Sequence, residues 1–150
     1  LFVRGDVQVL SEAVGNLIAN AIAYSPAGSP VGVGVNAAAG VVEIVVTDRG
    51  IGIAESEQHR VFERFYRADQ ARSRRTGGTG LGLSIVKHAA QRHDGEVKLW
   101  SRPGRGSTFT LRLPRIDAPE ILEVPKAKRK RSAGVKKAKK KAARLNGDSA

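Results

Sequence analysis

Positions 77 to 82 read Gly77-Gly78-Thr79-Gly80-Leu81-Gly82, and four glycines in six residues exclude a helix or strand interior there. The run opens an amphipathic helix expected over residues 81–94, which Gly95 is expected to end in the left-handed conformation. Backbone N–H groups at a helix start, with the positive end of the helix dipole, make an anion site, and phosphate is its natural guest. No Gly-Lys-Ser/Thr follows, so the run is not a Walker loop. It does not follow a strand either, as a dinucleotide-binding fingerprint would.

The flanking chain is equally patterned. Asp6 is placed to cap a helix running to about Tyr24, with Val7, Leu10, Val14, Leu17, Ile18 and Ala21 on one face. A loop at Ser25, Pro26, Gly28 and Pro30 precedes two β-rich runs, 31–35 and 41–47, separated by Asn36, Ala37 and Gly40. Residues 55–62 suit a short helix, and residues 67–80 form a polar loop of the length associated with lids. Strands are expected at 96–101 and 107–113, joined by a turn containing Pro103 and Gly104. The order α, β, β, α, β, β predicts an α+β sandwich, a mixed sheet with helices on one face.

Cys is absent, which removes disulfides, thiolate catalysis and zinc–thiolate clusters. No apolar run approaches the roughly 20 residues of a membrane span. The chain starts at Leu1 and has no Met, as expected of a piece of a longer product. The net charge of +12 divides unevenly: residues 1–114 hold 14 Lys and Arg against 10 Asp and Glu, and residues 115–150 hold 12 against 4. The second segment lacks aromatics and sets its Lys runs in Ala, so a disordered basic tail is expected. Such a tail serves either as a solubilising extension or as a contact for nucleic acid or anionic membrane.

On the first helix Glu12, Asn16 and Asn20 recur every four residues and form a polar stripe. A solvated face would explain it, but Asn is a poor helix former, and amides in line with a carboxylate suit a hard cation and its waters. Asp48-Arg49-Gly50-Ile51-Gly52 follows a β-branched strand. It is either an ordinary turn or a place where a carboxylate accepts an exocyclic amine while glycine backbone lets a ring approach. Arg72, Arg74 and Arg75 either add charge for phosphates or keep the loop soluble.

Together and in order, these segments resemble the catalytic ATP-binding domain of bacterial sensor histidine kinases, in the group that includes gyrase, Hsp90 and MutL ATPases. Residues 16–25 resemble the N box, 48–52 the first glycine box, 61–67 the F box, 78–87 the second glycine box and 104–109 the last. The resemblance covers residues 1–114 and is strongest to the phosphate-starvation sensor kinases of actinobacteria. It implies a Bergerat-type two-layer α/β sandwich that binds ATP and Mg2+ beneath a lid at residues 67–80. By carry-over Asn16 ligates magnesium, Asn20 contacts phosphate and Asp48 holds the adenine amine. Tyr24, Gly50, Gly52, Ile53, Phe62, Phe65, Arg67, Gly78, Thr79, Gly80, Leu81, Gly82, Leu83 and Thr108 complete the ATP site, and Glu12 supports catalysis beside Asn16.

The same resemblance implies transfer of the γ-phosphoryl to a histidine on a dimerisation domain, a homodimeric parent anchored in the plasma membrane with this domain in the cytoplasm, and a response regulator as partner. His59, His88 and His93 lack the flanking pattern of a phosphoacceptor. Two departures stand out: Ala23 occupies a position where the family often has Lys, Arg or His, and the family's first strand is expected upstream of Leu1, so that its sheet edge is exposed here. The alternatives are a nucleotide-binding module without kinase activity and an anti-sigma-type serine kinase. The nucleic-acid reading of the tail predicts retention on a DNA column at low salt that falls steeply as salt rises. Deleting residues 115–150 then abolishes retention, and retention by the shortened chain overturns that reading.

Overall fold

Asp6 begins the first helix with a side-chain cap. Its Oδ1 accepts the backbone N–H of Gln8 at 2.9 Å and of Val9 at 3.2 Å, satisfying two donors that a helix start leaves open. Residues 1–70, 75 and 77–117 are described in the computed structural model of the chain. Their elements are β1 (Phe2–Val3), α1 (Val7–Tyr24), β2 (Gly32–Ala38), β3 (Val41–Thr47), α2 (Glu55–Gln58), α3 (Gly82–Arg92), β4 (Glu96–Arg102) and β5 (Gly106–Ile116). The chain divides into a unit Leu1–Pro119 and a unit Glu120–Ala150; the latter, with most of the basic tail, lies outside the described residues.

β5 is the centre of the sheet. It pairs with β3 over Thr108–Pro114, with β4 over Gly106–Arg112 and with β1 at Arg115 and Ile116, while β2 pairs with β3. Every one of these pairings is antiparallel, so the expected mixed sheet shows no parallel pair among the described residues; β2–β3 and β4–β5 are hairpins, which pair antiparallel by construction. Strand alternation sends Val42, Val46, Phe109, Leu111 and Leu113 to one face. There all but Val42, which is also buried, meet Ala13, Leu17 and Ala21 of α1 and Val86, Ala89 and Ala90 of α3 in one buried core. Burial of a side chain such as Leu17, Leu111 or Leu113 contributes about 1.5–3 kcal/mol. The result is the expected two-layer α+β sandwich with its helices on one face.

The helices run antiparallel. At the far end His93 Nε2 accepts the N–H of Asp6 at 3.0 Å while its Nδ1 lies 2.7 Å from the carbonyl oxygen of Ala89, so a helix-end histidine ties the close of α3 to the cap of α1. At the near end Gly82 faces Asn16.

Several boundaries differ from the sequence expectation. β1 was not foreseen, because two residues carry no period. Asn36 and Ala37 belong to β2, since the hairpin turns on Ala39 and Gly40, the latter at φ 72°. β5 runs past Pro114 because β1 pairs with its last residues. α2 stops at Gln58, and residues 60–66 continue in single turns. The left-handed residue closing α3 is Asp94, at φ 53°, and not Gly95; Gly95 is needed because a Cβ there would collide with the carbonyl oxygen of Arg112. β2 is an edge strand among the described residues and is largely exposed.

On the outer sheet face Arg112 donates from Nε to Glu43 at 2.9 Å and from a terminal nitrogen to Glu96 at 2.6 Å. The Arg112 hydrogen bond holds the Glu96 carboxyl below its ordinary range. A carboxyl lowered in the folded state stabilises the fold above its unfolded value and loses that contribution as pH falls through the folded one. Glu96→Gln is therefore expected to cost stability near pH 7, with the difference from wild type shrinking in denaturant titrations as pH falls through and below the ordinary carboxylate range.

Candidate functional site

The loop after β3 is built around one buried carboxylate. Asp48 is 6% exposed; its N–H donates to the carbonyl of Ser107 at 2.9 Å. Its Oδ1 accepts the N–H of Gly50 at 2.7 Å and of Ser107 at 3.3 Å. Both side-chain bonds fall on the same oxygen, which leaves Oδ2 as the acceptor for a ligand. Ile51 N donates to Tyr24 O at 3.3 Å and Gly104 N to Ile51 O at 2.7 Å, pinning the loop between the end of α1 and the β4–β5 turn. Gly52 sits at φ 71°, where a Cβ would also strike the carbonyl of Arg102, so only glycine fits this crossing.

Asp48 forms part of the wall of a cavity of about 300 Å3, within the size range of small-molecule sites. Asn16, Asn20 and Tyr24 line it from α1, Gly52 and Ile53 from the first glycine loop, Arg67 from the segment after α2, and Gly78, Thr79, Gly80, Gly82 and Leu83 from the second glycine run. Asn16 donates from Nδ2 to the carbonyl of Glu12 at 3.0 Å, which turns its Oδ1 towards the start of α3: a Cβ on Gly82 would lie 3.1 Å from that oxygen. No side chain caps α3. Its first N–H groups are therefore left for an anion, in contrast to those of α1. Phe65 N donates to Gly80 O at 2.8 Å and ties the F-box segment to the glycine run.

The cavity thus has a hydrogen-bond-accepting carboxylate in one part of its wall, and helix N–H donors and a guanidinium in another. A molecule with an amine-bearing ring and a phosphate tail complements both. No group of three or more His, Cys, Asp or Glu able to hold a metal occurs among the described residues. A hard cation here would rest on Asn16 Oδ1 and on oxygens of the ligand and water, a donor set that suits magnesium.

Six expected residues do not line the cavity. Glu12 is exposed and contributes its backbone carbonyl to Asn16. Gly50 is buried behind Asp48, where a Cβ would collide with Tyr24 O. Phe62 packs edge-on to Phe109, centroids 6.1 Å apart, and belongs to the core. Phe65 is 72% exposed, turned out by its left-handed φ of 63°. Leu81 is the N-cap position of α3. Thr108 bonds Thr47 across β3–β5, oxygens 3.1 Å apart, because alternation along β5 sends Ser107 and Phe109 inward and Thr108 outward. Ser107 and Phe109 line the cavity, together with Ala19, Ala23, Ile51, Val61, Tyr66, Ala68 and Asp69. The alternation was the available signal for Ser107, and the i+4 spacing from Ala19 to Ala23 beside the Asn stripe for the alanines. Arg75 is exposed and off the cavity; Arg72 and Arg74 lie outside the described residues.

Residues 5–117 match the family described as histidine kinase-, DNA gyrase B- and HSP90-like ATPases. The chain belongs to this family. The sensor-like histidine kinase SenX3 of Mycolicibacterium smegmatis is 59% identical over 118 residues, covering 79% of this chain and 31% of SenX3. SenX3 of Mycobacterium tuberculosis H37Rv is 53% identical over 139 residues, 88% of this chain and 34% of its own. The mycobacterial sensor histidine kinase MprB has the same fold, with a TM-score of 0.68 and 40% identity over 75% of this chain and 76% of that one. Full-length ShkA, solved in complex with AMPPNP, gives 0.63 at 30% identity, covering 73% of this chain and 22% of that one. The chain spans about a third of the length of the SenX3 relatives. ATP is the ligand that membership of this ATPase family implies, and the divided chemistry of the cavity accords with it. No helix among the described residues is long and apolar enough to cross a membrane.

Asp48→Asn retains an oxygen to accept from Gly50 and Ser107 but puts a donor where the wild type offers only an acceptor, whereas Asp48→Ala removes both functions. The Asn variant is expected to melt within a few degrees of wild type and lose at least about tenfold in affinity for an ATP analogue. The Ala variant is expected to lose affinity and stability together, by calorimetry and thermal melts.

Proposed function

We propose that this cavity binds ATP with magnesium and that the chain is the catalytic portion of a sensor histidine kinase. The observation that carries the reading is the buried Asp48 carboxylate, with one oxygen held by two backbone N–H groups, sharing a cavity with an uncapped helix start. Asp48 accepts the adenine amine, while Tyr24, Ile53 and Leu83 give the ring apolar and aromatic contact. The N–H groups at Gly82 and Leu83, with Arg67, Thr79 and Asn20, face the phosphates. Asn16 Oδ1 holds magnesium, which when bound neutralises phosphate charge.

Catalysis in this reading is positioning and charge stabilisation. The imidazole nitrogen of an acceptor histidine, on the dimerisation domain of the parent, attacks the γ-phosphorus. An N–P bond forms, the bridging P–O bond breaks with its electron pair passing to ADP, and the imidazole proton leaves to water. The parent is a homodimer anchored in the plasma membrane, and a response regulator accepts the phosphoryl group from the histidine. The SenX3 and MprB likeness supports this assignment. Glu12 is exposed and off the cavity, so it acts only through the Asn16 amide that it orients.

A second reading, a nucleotide-binding module without transfer, is favoured by one observation: Ala19 and Ala23 line the cavity where a cation would aid phosphate binding. The two separate cleanly. The full chain is mixed with a histidine-bearing dimerisation domain and labelled ATP, with and without magnesium. Kinase function predicts magnesium-dependent label on the acceptor, lost in Asn16→Ala and Asp48→Asn. Nucleotide binding with an unlabelled acceptor would favour the module.

A further inference from the structure

Gln58, the last residue of α2, lies outside the cavity but is joined to it by hydrogen bonds that run through Ile53, Ser101 and Ser107. Its Nε2 donates to the carbonyl oxygens of Ile53 and Ser101, each 3.0 Å away. A side-chain amide nitrogen has two hydrogens, so both serve these carbonyls, and the reverse placement of the amide would set oxygen against oxygen. Ile53 ends the first glycine loop and lines the cavity; Ser101 lies near the end of β4. One amide therefore bridges the loop to the sheet.

Beyond it the proton directions are determined. Ser101 Oγ accepts the N–H of Ile53 at 2.8 Å and donates to the carbonyl of Gly106 at 2.9 Å. Its only proton being used there, Ser107 must donate in the Ser101–Ser107 pair, oxygens 2.9 Å apart. Ser107 N then donates to Asp48 Oδ1. Asp48, Ser101 and Ser107 are each less than a tenth exposed, so water does not readily replace a lost partner, and the geometry of each bond constrains the next.

We propose that Gln58 is a positioning residue for nucleotide selection. It clamps the glycine loop to β4 and, through Ser101 and Ser107, fixes the direction in which Asp48 presents its free oxygen to the amine of the base. This rests on the nucleotide reading of the cavity given above. Gln58 touches no ligand; removing its donors lets Ile53 and Ser101 shift, and the carboxylate loses its aim while the phosphate end of the cavity is unchanged.

The test uses the full chain, magnesium and two non-hydrolysable triphosphates: an adenosine analogue and its inosine counterpart, which carries oxygen where adenine carries the amine. Gln58→Glu keeps the size of the side chain but sets a carboxylate against two carbonyls; Gln58→Leu removes the donors without charge. Calorimetry near pH 7.5 is expected to show the adenosine analogue bound about tenfold more weakly by both variants. The inosine analogue changes little, so the ratio of the two affinities narrows. At about pH 5 the carboxyl of the Gln58→Glu variant begins to protonate and recovers one donor, and its gap to wild type at the same pH shrinks, while that of Gln58→Leu does not. Thermal melts establish that each variant is folded, and if one is not, the other decides. Wild-type binding with an unchanged adenosine-to-inosine ratio in the folded variants overturns the proposal for Gln58 alone. Failure of the wild type to bind either analogue overturns the nucleotide reading itself.

Discussion

The Asp48 carboxylate is the constraint around which the site is arranged. A carboxylate in a largely dry interior is unfavourable unless its oxygens are hydrogen-bonded, and here the partners are backbone groups of Gly50 and Ser107. Backbone donors are positioned by the fold and not by a rotamer, so the carboxylate is set by the sheet itself. The cost falls on the neighbouring sequence. Gly50 must pass against Tyr24 O, and Gly52 must cross the β4–β5 turn. Ser101 and Ser107 are buried beside the carboxylate with their hydroxyls paired to each other.

The remainder of the cavity depends on how the two long helices are held. α1 presents Asn16 and Asn20 from its second half, and α3 presents its uncapped start, so the two meet only if the helices lie antiparallel at a fixed stagger. The buried Ala and Leu residues between them allow close approach. The stagger is fixed at the far end, where His93 receives the N–H of Asp6. One residue, Asp6, therefore both starts α1 with its side chain and locks it to α3 with its backbone. The unsatisfied N–H groups needed for an anion occur at the helix that lacks such a cap.

Much of this was legible in the sequence. The helical spacing of apolar residues and the β-rich runs mark the layers, the stripe of Glu12, Asn16 and Asn20 and the glycine loops mark the site, and the order of the motifs points to the family. Twelve of the expected site residues come together in the cavity: the asparagine stripe and the glycine runs are local patterns that report backbone needs, whereas Tyr24, Ile53, Arg67, Thr79 and Leu83 follow from the family resemblance. What escaped the sequence is tertiary. The last glycine box points to Thr108 and not to Ser107, because a motif names neighbours without saying which faces inward. Phe62 and Phe65 were grouped as one aromatic motif, yet one enters the core against Phe109 and the other is turned out by its backbone. At the end of α3 the left-handed position falls to Asp94, while Gly95 closes the helix through its N–H to the carbonyl of Ala90 and lets β5 pass.

On the proposed reading, the side of the cavity formed by Ala19 and Ala23 shifts the burden of phosphate neutralisation. A cationic side chain on α1 would bind phosphate whether or not a metal were present. With alanine there, the charge must be met by the α3 helix start, by Arg67 and by a cation resting on Asn16. The helix start supplies a partial charge of roughly half a proton unit, too little to balance a triphosphate. Nucleotide affinity should therefore depend more on the metal than in a relative with a lysine or arginine in place of Ala23. Ala23→Lys follows as a gain-of-function change: it should strengthen binding of the ATP analogue most when magnesium is withheld, and an equal gain with and without magnesium would refute this division of charge.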